Sequence, residues 1–291
     1  MAVVVLGLAL CAGCNGRRTG VAPQSAREAL ARINANFAAL RTPIFCQGLV
    51  SIRYRDASET LRNYVAHPTT LAFLAPRCLR FDIKSPLAGS VARVGSSDEK
   101  YWLWTELGDE RKLYVGRWSQ VRPDVLRRLP VPPNDLLDAL LLRPLPETLA
   151  GGLRPILRID GNDHRLLFFR LDDKQQTAAL REFVLDPAEP YLPLQIIDRN
   201  PDGGVTMRAA LSQYAVVPET TIYTPRRYVI DWPQRDAELR LDVTEARLRS
   251  DLPPFCTPPD ARAFDGVVED LDPPAPAALG TWAPATPGAR G

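Results

Sequence analysis

Any hydrolysis that relies on a serine or cysteine nucleophile needs a nearby base, and the chain has two histidines, His67 and His164. His67 precedes Pro68 at the end of the run Leu61-Arg62-Asn63-Tyr64-Val65, which reads as a turn after a strand. His164 follows Gly161-Asn162-Asp163 and also reads as a surface turn. There is no Gly-x-Ser-x-Gly elbow and no phosphate-cradling loop. Asp160 and Asp163 have the look of a calcium loop, but the glutamate that should close such a loop is missing. Asp172-Asp173 reads as a solvated turn. The cysteines past the N-terminus, Cys46, Cys78 and Cys256, are too far apart for a zinc site in so histidine-poor a chain. They allow at most one internal disulfide, and any of the three pairs is open. The residues therefore point away from bond-making chemistry, with no cofactor and no metal; a hydrolase that uses His67 or His164 ranks last.

The N-terminus carries more information. Ala2 to Leu10 is uncharged and apolar, too short to span a bilayer and about the length of the core of a secretory signal. "CAGC" follows, and it resembles a bacterial lipobox, in which the last cysteine is acylated and becomes the mature N-terminus. Cys14 fits that role, because small Ala12 and Gly13 precede it; Cys11 fits poorly, because Leu10 would sit at the cut. The leader lacks a basic residue, and Cys11 stands where leucine is usual. The alternatives are an ordinary cleaved signal or an apolar strand. The expected layout is a signal over residues 1–13 and a lipidated N-terminus and linker over 14–24. A domain then spans 25–270, and a Pro/Ala-rich tail over 271–291 cannot bury a core. Two or more acyl chains on Cys14, palmitate among them, would give firm membrane attachment. Asn15 after the cysteine favours the periplasmic face of the outer membrane.

The charge is nearly balanced, 36 basic against 34 acidic residues. Without a basic excess, nucleic acid is not the expected partner. The 45% of hydrophobic residues can fill a sizeable core.

The pattern of that core is legible. Ser25 to Glu28 forms a capping box, and Ala26, Leu30, Ile33, Phe37 and Leu40 make a helical stripe that ends at Thr42-Pro43. Alternation of period two then takes over: Val50, Ile52 and Tyr54; Leu79, Phe81 and Ile83; Leu113 and Val115; Val205, Met207 and Leu211; Tyr228, Ile230 and Trp232; Leu239, Leu241 and Val243. Each run has polar residues between its apolar ones, the mark of an antiparallel sheet with one wet face. Roughly ten or eleven such strands are too many for a flat sheet. A short helix over Asp124–Leu129 and an apolar one over Asn134–Leu142, framed by prolines, interrupt the strands. In Tyr101-Trp102-Leu103-Trp104 both faces are apolar. Trp102 and Trp104 are either ordinary core or the wall of an apolar cavity.

This order resembles the LolA-like and LolB-like lipoprotein localisation factors. The stretches that carry it are "INANFAAL" leading into "QGLVSIRY", "LRFDIKSPLAGSVARV" with "KYWLW" and "LYVGRW", and "PRRYVIDWP" with "ELRLDVTEARL". The resemblance implies a mainly β (α+β) fold. A single curved antiparallel sheet would form an open half-barrel, with helices Ala26–Leu40 and Asn134–Leu142 as lids over an apolar concavity. It implies a monomeric, membrane-tethered protein that binds acyl chains of lipids or lipoproteins and makes no bond. The cavity residues it suggests are Val50, Ile52, Tyr54, Phe81, Ile83, Trp102, Trp104, Leu113, Val115, Leu137 and Leu141. "PLAGSV", Pro86 to Val91, is the nearest match to the exposed delivery loop of LolB-type receptors. The competing reading is a cell-envelope scaffold or sensor domain that grips a protein partner and carries no lipid.

Overall fold

The computed structural model describes residues 21–38, 40–55, 59–85, 89–106, 111–121, 129, 131–142, 144–148, 153–171 and 177–272. The signal, Cys14, residues 86–88 of the "PLAGSV" loop, most of the short helix at 124–129, Asp172-Asp173 and the tail beyond 272 lie outside them.

Helix α1 (Ala26–Ala38) opens on the expected cap: the Glu28 amide donates to Ser25 Oγ at 3.2 Å and the Gln24 amide to Glu28 Oε2 at 2.8 Å. The chain then runs up and down through β1 (Ile44–Arg55), β2 (Leu61–Leu74), β3 (Cys78–Ser85), β4 (Gly89–Ser96), β5 (Lys100–Thr105) and β6 (Lys112–Arg117). Helix α2 (Pro133–Ala139) follows, with proline at its first turn, where the missing N–H costs nothing. A second meander comprises β7 (Ile156–Asp160), β8 (Asp163–Leu171), β9 (Thr177–Leu185), β10 (Pro193–Arg199) and β11 (Val205–Ser212). After a small hairpin, β12 (Ala215–Val216) and β13 (Tyr223–Thr224), come β14 (Arg227–Trp232), β15 (Ala237–Leu248) and β16 (Val267–Asp270).

Fourteen of these strands form one sheet in the order 16-6-5-4-3-2-1-15-14-11-10-9-8-7. All neighbours are antiparallel except β16, which lies parallel to β6. The central seam joins β1 to β15, at opposite ends of the domain, from Ile44↔Leu248 to Arg53↔Glu238. A bulge interrupts it at Gly48, where a Cβ would lie 2.1 Å from the Asp242 carbonyl oxygen, so only glycine fits. The expected turns hold: Gly161 and Gly203 have φ of 58° and 85° in the tight connections.

The sheet is strongly curved, and the position of α2 shows it. The helix packs against β4 and β5 on one wing and β11 on the other. β5 and β11 are seven spacings apart in sheet order, about 34 Å on a flat sheet at about 4.8 Å per spacing. A helix only about 10 Å across can touch both only if the sheet curls round it. The inner face and both helices share one apolar core, which runs from Ala29, Leu30 and Ile33 of α1 through Leu136, Leu137 and Leu140 to Phe168, Ile230 and Trp232.

The outer face has its own cover. Cys78 alternates with inward-facing Leu79 and so points outward, where it is disulfide-bonded to Cys256. The segment between β15 and β16 is pinned there as it crosses to the far edge of the sheet. Cys46 is a free, buried thiol, pushed up to about 12 by burial.

Candidate functional site

Seven of the eleven expected cavity residues do meet on the inner face. Val50, Ile52 and Tyr54 come from β1, Phe81 and Ile83 from β3, and Leu137 and Leu141 from α2 and its C-terminal end; all seven belong to the common core. Trp102, Trp104, Leu113 and Val115 are on the other side of the sheet. Register places them there: Asp82 pairs with Arg93, Arg93 with Trp104 and Trp104 with Leu113, while Trp102 pairs with Gly95 and Val115. The inner ladder is instead Leu71, Phe81, Val94, Leu103 and Tyr114. Trp102 and Leu113 are nonetheless buried, at 1% and 0% exposure, on the side of the disulfide-pinned segment. The Trp102 indole lies over Gly95, where a Cβ would come within 2.2 Å of it, and its Nε1 is buried without a partner. A signal for these tryptophans was in the sequence: Arg93, on the adjacent strand of the same hairpin, pairs with Trp104 (the guanidinium lies 5.8 Å from the ring centroid).

The two helices fill the hollow and are tied down by polar bonds. On α1, Asn34 Nδ2 donates to the Leu145 carbonyl at 2.9 Å and Asn34 Oδ1 accepts from the Leu145 amide at 2.8 Å. Asn36 makes the same reciprocal pair with Tyr223, at 2.8 and 2.7 Å. Each asparagine thus closes a two-bond ring with one backbone amide group, as a rung of a strand ladder does. On α2, Asp135 Oδ2 accepts from Trp232 Nε1 at 3.1 Å. Asp138, 7% exposed, pairs with Arg181 Nη2 at 2.6 Å, and Arg181 also holds Asp198 at 2.6 and 2.7 Å. Burial works against the Arg181 charge, but the Asp138 and Asp198 carboxylates hold its pKa raised. Burial pushes Asp135 up to about 6, opposed by Arg235 and the Trp232 hydrogen bond and reinforced by Asp198 and Asp138.

Two small cavities lie among the described residues. One cavity of about 10 Å³ is lined by Val50, Ile52, Tyr64, His67, Ile83, Val91 and Ala92. A second, of about 30 Å³, lies where α1 and the end of α2 meet the small hairpin. These volumes fit one and about two water molecules.

Both histidines lie elsewhere than their sequence context suggests. His164 is not a surface turn: it is 4% exposed in β8, with Nδ1 2.9 Å from Tyr191 Oη and Nε2 3.2 Å from the Gly161 carbonyl. His67 lies inside β2, not in a turn, with Nδ1 3.0 Å from the Lys84 carbonyl. Pro68 pairs with Leu49 of β1 and lies just before the β3 ladder, which starts at Thr69. Asp160 and Asp163 pair with Arg158 and Arg165. Among the described residues no cluster of histidine, cysteine, aspartate or glutamate could hold a metal, and no helix is long and apolar enough to cross a membrane.

No protein-family model and no curated protein matches the sequence. Solved structures do match the fold. A domain from Vibrio parahaemolyticus named for outer membrane lipoprotein sorting superposes with a TM-score of 0.50 at 13% identity, covering 78% of this chain and 95% of its own. A DUF1329 family protein from Desulfovibrio piger gives a TM-score of 0.52 at 10% identity, covering 78% and 93%. A LolA superfamily protein from Nitrosomonas europaea gives 0.47 at 12% identity, covering 79% and 96%. The Vibrio and Desulfovibrio domains thus share the overall fold of this chain, a large sheet with helices on one face.

Proposed function

We propose that this protein is an exported lipoprotein, tethered through acylated Cys14 to the periplasmic face of the outer membrane. It binds acyl chains of lipids or lipoproteins in the hollow now occupied by α1 and α2, and no bond is made or broken. One observation carries the reading. The apolar inner face of the sheet is covered by two short helices on a few polar ties rather than by a second sheet. A helix held that way can be exchanged for another apolar body.

The energies make the exchange reasonable. Transferring about 15 methylenes from water gains about 12 kcal/mol at about 0.8 kcal/mol each. Leu136, Leu137, Leu140 and Leu141, all at most 5% exposed, together gain about 6–12 kcal/mol from burial, at about 1.5–3 kcal/mol each. A chain entering as α2 lifts therefore costs little net, which suits a carrier that must also let go. The Cys78–Cys256 bond supports export, since disulfides persist in oxidising compartments.

The test is organic-solvent extraction of the purified protein followed by mass spectrometry. Near-stoichiometric co-purified acyl lipid is the expected result; lipid-free protein that also takes up no added lipid would end the carrier reading. The small size of the cavities favours one rival, in which the helices are a permanent core and the domain is a tethered scaffold or sensor for a protein partner. Cross-linking in cells that captures one protein, without lipid in the extract, is its signature.

A further inference from the structure

The cavity of about 30 Å³ is walled by aliphatic side chains, among them Leu40, Ile44, Leu140, Leu141, Leu192 and Ile222. Of the polar side chains in its wall, Asn36, Tyr214 and Thr224 are already engaged. Asn36 is closed on the Tyr223 main chain at 2.8 and 2.7 Å, Tyr214 Oη donates to the Pro193 carbonyl, and Thr224 Oγ1 lies 3.3 Å from Tyr228 Oη. A polar group placed among them would leave water for partners that are taken, which is costly. A hydrocarbon end carries no such cost, so the wall suits the methyl end of a chain.

Backbone strain surrounds this space. Leu141 follows α2 at φ 52°, its amide bonded to the Asp138 carbonyl at 3.1 Å and that of Leu142 to the Leu137 carbonyl at 3.3 Å. Such a left-handed cap is normally glycine; here it is leucine, and its side chain completes the wall. Gln213, at φ 57°, begins the excursion to hairpin β12–β13 on the other side. Strained residues of this kind gather at ligand clamps and switches. The hairpin is also a lighter cover than α2. It departs between Ser212 and Arg227 and forms a two-stranded sheet of its own. It buries Val217 and Ile222, is tied to α1 by Asn36 and to β10 by Tyr214. Helix α2 and its C-terminal turn bury Leu136, Leu137, Leu140 and Leu141 and carry the Asp138–Arg181 pair. The element with less buried apolar contact opens at the lower free energy, so the hairpin yields before α2 does.

We infer that this cavity is the port through which a hydrocarbon chain enters, methyl end first, with hairpin β12–β13 as its door and Asn36 as the latch. The inference rests on the reading that the hollow takes acyl chains, and it goes further by naming where the chain goes in and which end leads.

The test uses the full-length chain carrying Cys14→Ala, so that no anchor lipid of its own competes, after lipid has been stripped from it. Diphenylhexatriene, a hydrocarbon without a head group that fluoresces in apolar surroundings, is mixed in by stopped flow. The expected result is uptake and release both about tenfold faster in Asn36→Ala than in the parent, with Kd within about twofold, since losing a latch speeds both directions alike. Asn34→Ala frees α1 from Leu145 but leaves the hairpin latched, so it should lag behind Asn36→Ala. Tyr214→Phe removes the other tie and should act as Asn36→Ala does, which keeps the test decisive where that variant fails to fold. Asn34→Ala as fast as Asn36→Ala or faster puts the entrance beside α2, and unchanged rates in Asn36→Ala and Tyr214→Phe mean that the hairpin is no door; either result overturns the port while leaving the hollow standing. Hexadecanoate should displace the probe, and hexadecanedioate, charged at both ends, should not; equal displacement overturns methyl-first entry. A parent that binds no probe sinks both the hollow and the port.

Discussion

Asp135 offers the sharpest test of how α2 is held. Its carboxyl sits under the helix against Trp232 Nε1, and burial raises its pKa from 3.8 to about 6. A carboxyl whose folded pKa is raised stabilises the fold in its protonated form. That contribution is complete below about pH 4 and is lost as pH rises through about 6. At 1.36 kcal/mol per pH unit, the interval from 3.8 to about 6 sets an upper limit of about 3 kcal/mol on the penalty above pH 7. Asp135 is partly open to water, which brings the expected figure to about 1–2 kcal/mol. Asp135→Asn keeps an oxygen for Trp232 and removes the charge. The variant should match the parent at pH 4 and exceed it by about 1–2 kcal/mol at pH 8. For a domain of this size that is roughly 3–6 °C in Tm. Thermal unfolding followed by circular dichroism at both pH values reads it directly. A variant that is less stable at pH 8, or whose difference from the parent is the same at both pH values, would refute the account of Asp135 as a buried, strained anion.

Four further outcomes can be checked. Asn36→Ala removes both bonds to Tyr223 and should cost about 1–3 kcal/mol, with faster amide exchange in α1; unchanged exchange there would show that the clamp does not hold the helix. Cys78→Ser opens a bond that spans 178 residues and should cost about 2–5 kcal/mol; with the outer cover loosened, tryptophan fluorescence shifts to the red, and an unshifted spectrum counts against the cover. Gly95→Ala places a methyl group 2.2 Å from the Trp102 ring and should cost about 1–3 kcal/mol through overpacking, read by urea unfolding; no loss would mean that the ring lies elsewhere. Cys14→Ala should move the protein from the membrane to the soluble exported fraction, and a variant that stays with the membrane sinks the anchor.

Much of the fold was legible because period-two alternation on one wet face is a strong signal. Tyr228, Ile230 and Trp232, or Leu239, Leu241 and Val243, have charged or polar neighbours, and they pack inward as expected. The helix over 26–38 was legible from its cap and stripe. The count of strands was not. β7 and β16 are short, largely exposed edge strands, and β12 and β13 are two-residue hairpin pieces, all too short or too polar to show alternation. Seven of the eleven residues named for the inner face lie there, and the other four, Trp102, Trp104, Leu113 and Val115, lie on the outer face for one reason. In Tyr101-Trp102-Leu103-Trp104 both faces are apolar, and only the cross-strand register with Arg93 and Gly95 tells which face each tryptophan takes. His164 misled similarly: a residue after Gly-Asn-Asp looks exposed, and only the fold brings Tyr191 over it. The asparagine clamps are invisible in sequence because their partners are main-chain groups 111 and 187 residues away.

The seam between β1 and β15 has a consequence for biosynthesis. A chain that appears N-terminus first presents β1 early, with Val50, Ile52 and Tyr54 already in place, and hairpin pairing to β2 can satisfy only one of its two edges. The other edge waits for Ala237–Leu248, almost 200 residues behind. Until then a central, apolar strand stands open to any passing strand, the situation that leads to aggregation. Nascent copies of this protein should therefore depend on escort until Ala237–Leu248 is free. Early termination anywhere before Ala237 should yield insoluble debris rather than a smaller working version.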